Sequence, residues 1–159
     1  MPIQIGDNIP EVNIKRIGEG FETIDTHAFF EGKKMVLFSV PGAFTPTCSE
    51  KHLPGFIEHF DAFRDKGIGV ACMSVNDAFV MKAWAASQNA PAGMEILADG
   101  NGDFARALGL EMDASGYGMG TRSKRFALYA ENGVVKLLEV EAPGEFRVSS
   151  AEHMLSLLG

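Results

Sequence analysis

The chain has 159 residues, 46 % of them apolar and 22 % charged. That balance suits one globular domain with a buried core and excludes a disordered chain. A net charge of −7 and a pI near 5.0 argue against nucleic acid and anionic membrane surfaces as partners, and leave a small neutral substrate open. The two cysteines, Cys48 and Cys72, make no disulfide framework and fit a reducing compartment. The start, Met1-Pro-Ile-Gln-Ile-Gly-Asp7, lacks basic and apolar signal regions, and no stretch approaches the ~20 apolar residues of a spanning helix. A cytoplasmic protein with no membrane contact is expected.

Residues 1–12 read as an extended lead-in with Pro2, Gly6 and Pro10. Val12 to Ile17 and Phe21 to Asp25 read as two short strands around the turn Gly18-Glu-Gly20, followed by a helical turn from Thr26 to Phe30. Lys34-Met-Val-Leu-Phe-Ser-Val40 is apolar and β-rich, the signature of a buried strand. Ser49 to Arg64 carries Leu53, Phe56, Ile57, Phe60 and Phe63 at helical spacing, with a kink expected at Pro54-Gly55. Gly67 to Val75 is a second apolar strand, and Asn76 or Asp77 caps a helix to about Gln88. Met94 to Ala98 is a short strand and Phe104 to Leu110 a short helix.

Gly116, Gly118 and Gly120 punctuate a loop. Ser123 to Ala130 and Val134 to Val140 read as strands joined by Glu131-Asn-Gly133, a hairpin signal. Ser149-x-x-Glu152 reads as a capping box for a last helix through Leu158. The order strand, helix, strand, helix predicts a parallel β-α-β core, and a hairpin and helix follow it.

A cysteine stands where the first core strand hands over to a helix. The first helical turn offers unpaired N–H groups and the positive end of the dipole, and both favour the thiolate, the nucleophilic form. On that argument alone Cys48 reads equally as a nucleophile or as a buried structural thiol. Thr45 lies three residues earlier, where a disulfide reductase would carry its first Cys. Pro41 and Pro46 stiffen the loop and supply no N–H.

The pattern Pro41-x-x-x-Thr45-x-x-Cys48 resembles the peroxiredoxin active-site motif. Pro41-Gly-Ala-Phe-Thr-Pro-Thr-Cys-Ser49 with His52-Leu-Pro-Gly-Phe56, Ser74-Val-Asn-Asp-Ala-Phe79 and Arg122-Ser-Lys-Arg-Phe126 is similar to the type-5 subfamily, called type II in plants. The resemblance runs from Ile5 to the last helix. It implies an α/β thioredoxin fold with an N-terminal β-hairpin extension and an insert, a central mixed sheet flanked by helices, in one domain spanning residues 1–159.

The resemblance also implies chemistry. Cys48 attacks the O–O bond of hydrogen peroxide or an alkyl hydroperoxide and becomes a sulfenic acid. Thr45 hydrogen-bonds the thiolate or the peroxide, and Pro41 shields the sulfur. The family draws an arginine from the strand after the Gly-rich loop; Arg125, just before Phe126, aligns with it, with Arg122 in reserve. Three residues apart on one strand, the two would point to opposite faces. The subfamily implies a homodimer walled by Phe44, Phe79, Met112 and Tyr117, read as loop residues. Cys72 reads as a core thiol, and Glu145-Phe-Arg-Val-Ser-Ser150 holds no resolving cysteine. A one-Cys enzyme is therefore expected, reduced by glutathione with glutaredoxin or by thioredoxin.

Two other classes fit parts of the same pattern. His52, four residues after Cys48, could make a Cys-His hydrolase, but no Asn or Asp is placed to orient it. A redox sensor or chaperone-like binding module on the same fold is the other alternative. Asp99-x-Asn-x-Asp103 opens like a calcium loop, but Leu110 stands where Glu is needed. The cysteines lack zinc spacing, and Gly116-x-Gly-x-Gly120 precedes a strand where phosphate binding requires a helix. No metal, haem, nucleotide or other cofactor is expected.

Overall fold

The computed structural model describes residues 2–18 and 20–159, so Glu19 of the expected turn lies outside the described residues. β1 (Asn13–Ile17) and β2 (Phe21–Asp25) form the expected antiparallel hairpin. The Asp25 carboxylate accepts the His27 N–H and opens α1 (Thr26–Phe30). β3 (Lys34–Val40) leads into the cysteine loop.

The long helix expected from Ser49 to Arg64 is divided. Helical backbone starts at Pro46 and Thr47, widens into a π-helical turn, Cys48–His52, continues as α2 (Leu53–Glu58) and breaks at His59 before α3 (Phe60–Asp65). The Leu53 N–H reaches back five residues to the Cys48 carbonyl. Pro54 follows and has no N–H for the carbonyl four residues back, so the wider turn is accommodated there.

β4 (Gly69–Ser74) precedes α4 (Ala78–Ser87), which Asp77 caps by accepting the Val80 N–H. β5 (Glu95–Ala98) and α5 (Asp103–Leu108) follow. Then comes an element the sequence did not announce, a two-stranded ribbon of β6 (Glu111–Asp113) and β7 (Thr121–Ser123). The strand expected from Ser123 to Ala130 is therefore split, and its core part is β8 (Phe126–Glu131). β9 (Val134–Val140) completes the hairpin across Asn132 and Gly133, both at positive φ (51° and 77°) as that tight turn requires. α6 (Ala151–Leu158) is capped by Ser150, which accepts the His153 N–H, and not by Ser149 as the capping box suggested.

The seven-stranded sheet has the order β2-β1-β5-β4-β3-β8-β9. β3, β4 and β5 are parallel; β8, β9 and the β1–β2 hairpin add antiparallel edges. This is the expected mixed sheet of a thioredoxin fold, with the hairpin as the extension. β5, α5 and the β6–β7 ribbon form the insert between α4 and β8.

Alternation along the strands builds a core on both faces. Val36, Phe38, Val70, Cys72 and Ile96 pack with Leu53, Phe56, Met81 and Trp84 under the helices on one side. Met35, Leu37, Ala71, Met73 and Leu97 pack with Phe30, Phe104 and Leu108 on the other. Burial on both faces explains the unbroken apolar runs. The cysteine loop leaves the carboxyl end of β3, at the rim of this sheet.

Candidate active site

Cys48 opens the π-helical turn and is fully buried. Two glycine-free features fix the loop before it. Phe44 sits at φ 64°, in the left-handed region. The Ala43 N–H donates to Asn76 Oδ1 at 3.0 Å, so the turn after β4 holds the loop. Gly42 packs closely as well: a Cβ there would stand 3.0 Å from Met119 Cε and 3.2 Å from both Arg122 Nη1 and Thr45 Cγ2, so those side chains would have to shift.

The Thr45 hydroxyl donates to the Gly42 carbonyl at 2.6 Å. Its hydrogen is thereby committed, while its lone pairs stay available to accept. The Pro41 carbonyl accepts Arg122 Nη1 at 3.4 Å, and Arg122 Nε donates to the Met119 carbonyl at 2.9 Å.

Arg125 is the cation at the sulfur. Its Nη2 donates to Cys48 Sγ at 3.1 Å and its Nη1 meets His52 Nδ1 at 2.9 Å. A guanidinium is always charged and stabilises negative charge on the atom it donates to. Arg122 and Arg125 do not share a strand: Arg122 is in β7, and Arg125 lies between β7 and β8. The opposite-faces expectation therefore fails, and both guanidinium groups reach the cysteine loop.

His52 is fully buried. Its Nε2 lies 2.9 Å from the Ser149 carbonyl, which can only accept. Nε2 therefore carries the hydrogen, and the Nδ1 lone pair is occupied by Arg125. Burial, then the Arg125 charge, pushes the imidazole down to about 3, against the raising influence of the Ser149 carbonyl and Glu141. A histidine with its lone pair engaged and so low a proton affinity is not a general base, which removes the geometric support for a Cys-His hydrolase.

Sequence reasoning missed the segment that backs these groups. The Glu141 carboxylate accepts the N–H groups of Arg147, Val148 and Ser149 and the Ser149 hydroxyl. Burial pushes this carboxyl up, but those hydrogen bonds outweigh it and hold it below the usual carboxylate range. The Phe146 ring lies 5.0 Å from the His52 ring and 5.8 Å from the Arg125 guanidinium carbon. The adjacent serines at 149 and 150 concealed that only the second is a helix cap.

Beside the site is a cavity of about 340 Å³, lined by Pro41, Thr45, Met112, Met119 and Arg125 among others. Tyr117 stands at its wall and is 86 % exposed. Of the residues expected in loops, Phe79 is instead in α4 and Met112 in β6. Cys72 is buried in β4, and burial followed by the neighbouring Cys48 charge raises its thiol well above the ordinary range.

A buried cysteine at a helix start, a guanidinium on its sulfur and a cavity alongside define a thiol enzyme of thioredoxin fold. The redoxin family profile matches residues 4–155. Peroxiredoxin-2C of Arabidopsis thaliana is 46 % identical over 160 residues, covering 99 % of both chains. The crystal structure of reduced Prx3 from Vibrio vulnificus in complex with H2O2 superposes with a TM-score of 0.94 at 50 % identity, covering 99 % of each chain. The Plasmodium falciparum antioxidant protein, a 1-Cys peroxiredoxin, gives 0.91 at 30 % identity over 98 % of each chain. The chain belongs to the redoxin family and, within it, to the type-5 peroxiredoxins, type II in plants. It is a thiol-dependent peroxidase.

Proposed function

We propose that the protein reduces hydrogen peroxide and alkyl hydroperoxides through Cys48 by a one-Cys mechanism. The observation that carries this reading is Arg125 Nη2 at 3.1 Å from Cys48 Sγ, on a side chain that also lines the cavity. The Cys48 thiolate attacks one peroxide oxygen, the O–O bond breaks, and the other oxygen leaves as water or an alcohol after taking a proton. Cys48 is oxidised to the sulfenic acid. Arg125 stabilises the thiolate and then the charge on the leaving oxygen. Thr45 accepts from the peroxide O–H, and Pro41 closes the wall over the sulfur.

Resolution falls to an outside thiol. Cys72 is buried in β4, and its raised thiol pKa keeps it in the unreactive form. One thiol condenses with the sulfenic acid and releases water; a second reduces the mixed disulfide and restores Cys48. Glutathione with glutaredoxin, or thioredoxin, is the reductant, and the cytoplasm the compartment, supported by two cysteines that are both free. A homodimer is part of the reading, supported by exposed Phe44, Phe79 and Tyr117.

The test is a single turnover followed by rescue. Reduced protein is mixed with substoichiometric hydrogen peroxide, the sulfenic acid is trapped and located by mass, and each reductant is added in turn. Fast trapping at Cys48, reversed by one of the thiol systems, is expected. Oxidation no faster than that of free cysteine would sink the reading.

A further inference from the structure

Arg125 is gripped at both ends from a single residue. Its main-chain carbonyl accepts the Glu141 N–H at 2.9 Å. Its guanidinium donates to His52 Nδ1 at 2.9 Å, and His52 donates to the Ser149 carbonyl at 2.9 Å. Ser149 is in turn fixed by the Glu141 carboxylate, through its N–H at 2.9 Å and its hydroxyl at 2.7 Å. The circuit starts and ends on Glu141, the residue after β9.

As a residue Glu141 is only 7 % exposed, it also lines the cavity beside Cys48, and among the described residues no Lys or Arg side chain pairs with it. It is satisfied by the donors of residues 147–149. A buried anion without a cation is costly unless hydrogen bonds satisfy it, and in accepting them Glu141 fixes the backbone of residues 147–149. An arginine side chain has wide rotamer freedom. With Nη1 held by a rigid imidazole, Nη2 is left aimed at the sulfur.

We propose that Glu141 is a positioning residue for the peroxidase reaction, setting the Arg125 guanidinium on Cys48 through Ser149 and His52. The proposal rests on the reading that Cys48 reacts with peroxide through Arg125. It makes the segment after β9 part of the active-site support, although the hydrogen bond to the sulfur comes from Arg125.

A double-mutant cycle tests it. The second-order rate of Cys48 oxidation by hydrogen peroxide is measured by stopped flow on the full chain. Glu141→Gln is introduced alone and on Arg125→Met, with the thermal midpoint recorded for each. Misplacing a catalytic group lowers reactivity steeply, so Glu141→Gln alone should cost about ten-fold or more. On Arg125→Met it should cost nothing further, because nothing is left to position. Ser149→Ala keeps the carbonyl that holds His52 and removes only the hydroxyl link. It is run through the same cycle, with a smaller loss expected and the same disappearance, and it stands in if Glu141→Gln does not fold. Equal losses in both backgrounds would mark a purely structural role and overturn the proposal. A wild type no faster than free cysteine would overturn the peroxidase reading with it, whereas a fast wild type with equal losses overturns the proposal alone.

Discussion

Cys48 and Cys72 both lack exposed surface, yet only Cys48 has a guanidinium on its sulfur. Cys48→Ser should abolish peroxide turnover in a coupled thiol assay. Cys72→Ser should leave turnover within about two-fold while lowering stability by about 1–3 kcal/mol in denaturant melts, because a hydroxyl enters an apolar strand. Arg125→Lys keeps the charge and loses the fork that binds sulfur and imidazole together. Removing one preorganised donor typically costs about 10²-fold or more, which is the loss expected in the oxidation rate. His52 makes a prediction of a different kind. Its folded value of about 3 lies below the ordinary 6.5, so the unfolded chain binds the extra proton between those limits. Its stabilising contribution is complete above pH 6.5 and is lost as pH falls toward 3, with a slope of at most about 1.4 kcal/mol per pH unit. Urea midpoints from pH 7 to pH 4 should fall more steeply for the wild type than for His52→Gln.

At the scale of elements, the π-helical turn decides where the sulfur sits. Pro54→Ala restores an N–H that can close an ordinary α-helical bond to Glu50. The turn should tighten and draw Cys48 away from Arg125. The oxidation rate is expected to drop about ten-fold, while the thermal midpoint holds or rises. A lower midpoint with an unchanged rate would show that Pro54 only stiffens the helix. Pro41, Thr45 and Cys48 were legible in the sequence because one loop carries all of them. Arg125, 77 residues away, was legible only through resemblance, since nothing local distinguishes it from Arg122. Asn76 and Ser149 read only as helix-cap candidates and Glu141 not at all, because their contacts at the site are made by tertiary approach. The β6–β7 ribbon escaped for another reason: strands of three residues separated by glycines show no hydrophobic period. The strands of the core were readable for the converse reason, as burial on both faces leaves long apolar runs.

Across the whole molecule, large apolar side chains remain outside the core: Phe44 is 56 %, Phe79 75 % and Tyr117 86 % exposed. Scattered apolar exposure is ordinary; the proposed homodimer would cover these aromatic groups. Sedimentation should give twice the chain mass, and Phe79→Glu should shift the population toward the monomer with the thermal midpoint little changed. A monomeric wild type would remove the dimer from the reading. The hydrogen bond from Trp84 Nε1 to Ser49 Oγ, 2.9 Å long, bears on the same question of how the parts move together. Trp84 is the sole tryptophan, it is fully buried, and its indole is tethered to the residue next to the nucleophile. Any rearrangement of that turn on oxidation must stretch or break the tether and alter the polarity around the indole. The chain thus carries its own optical gauge: emission should step when Cys48 is oxidised and step back when a thiol restores it, with no dye attached.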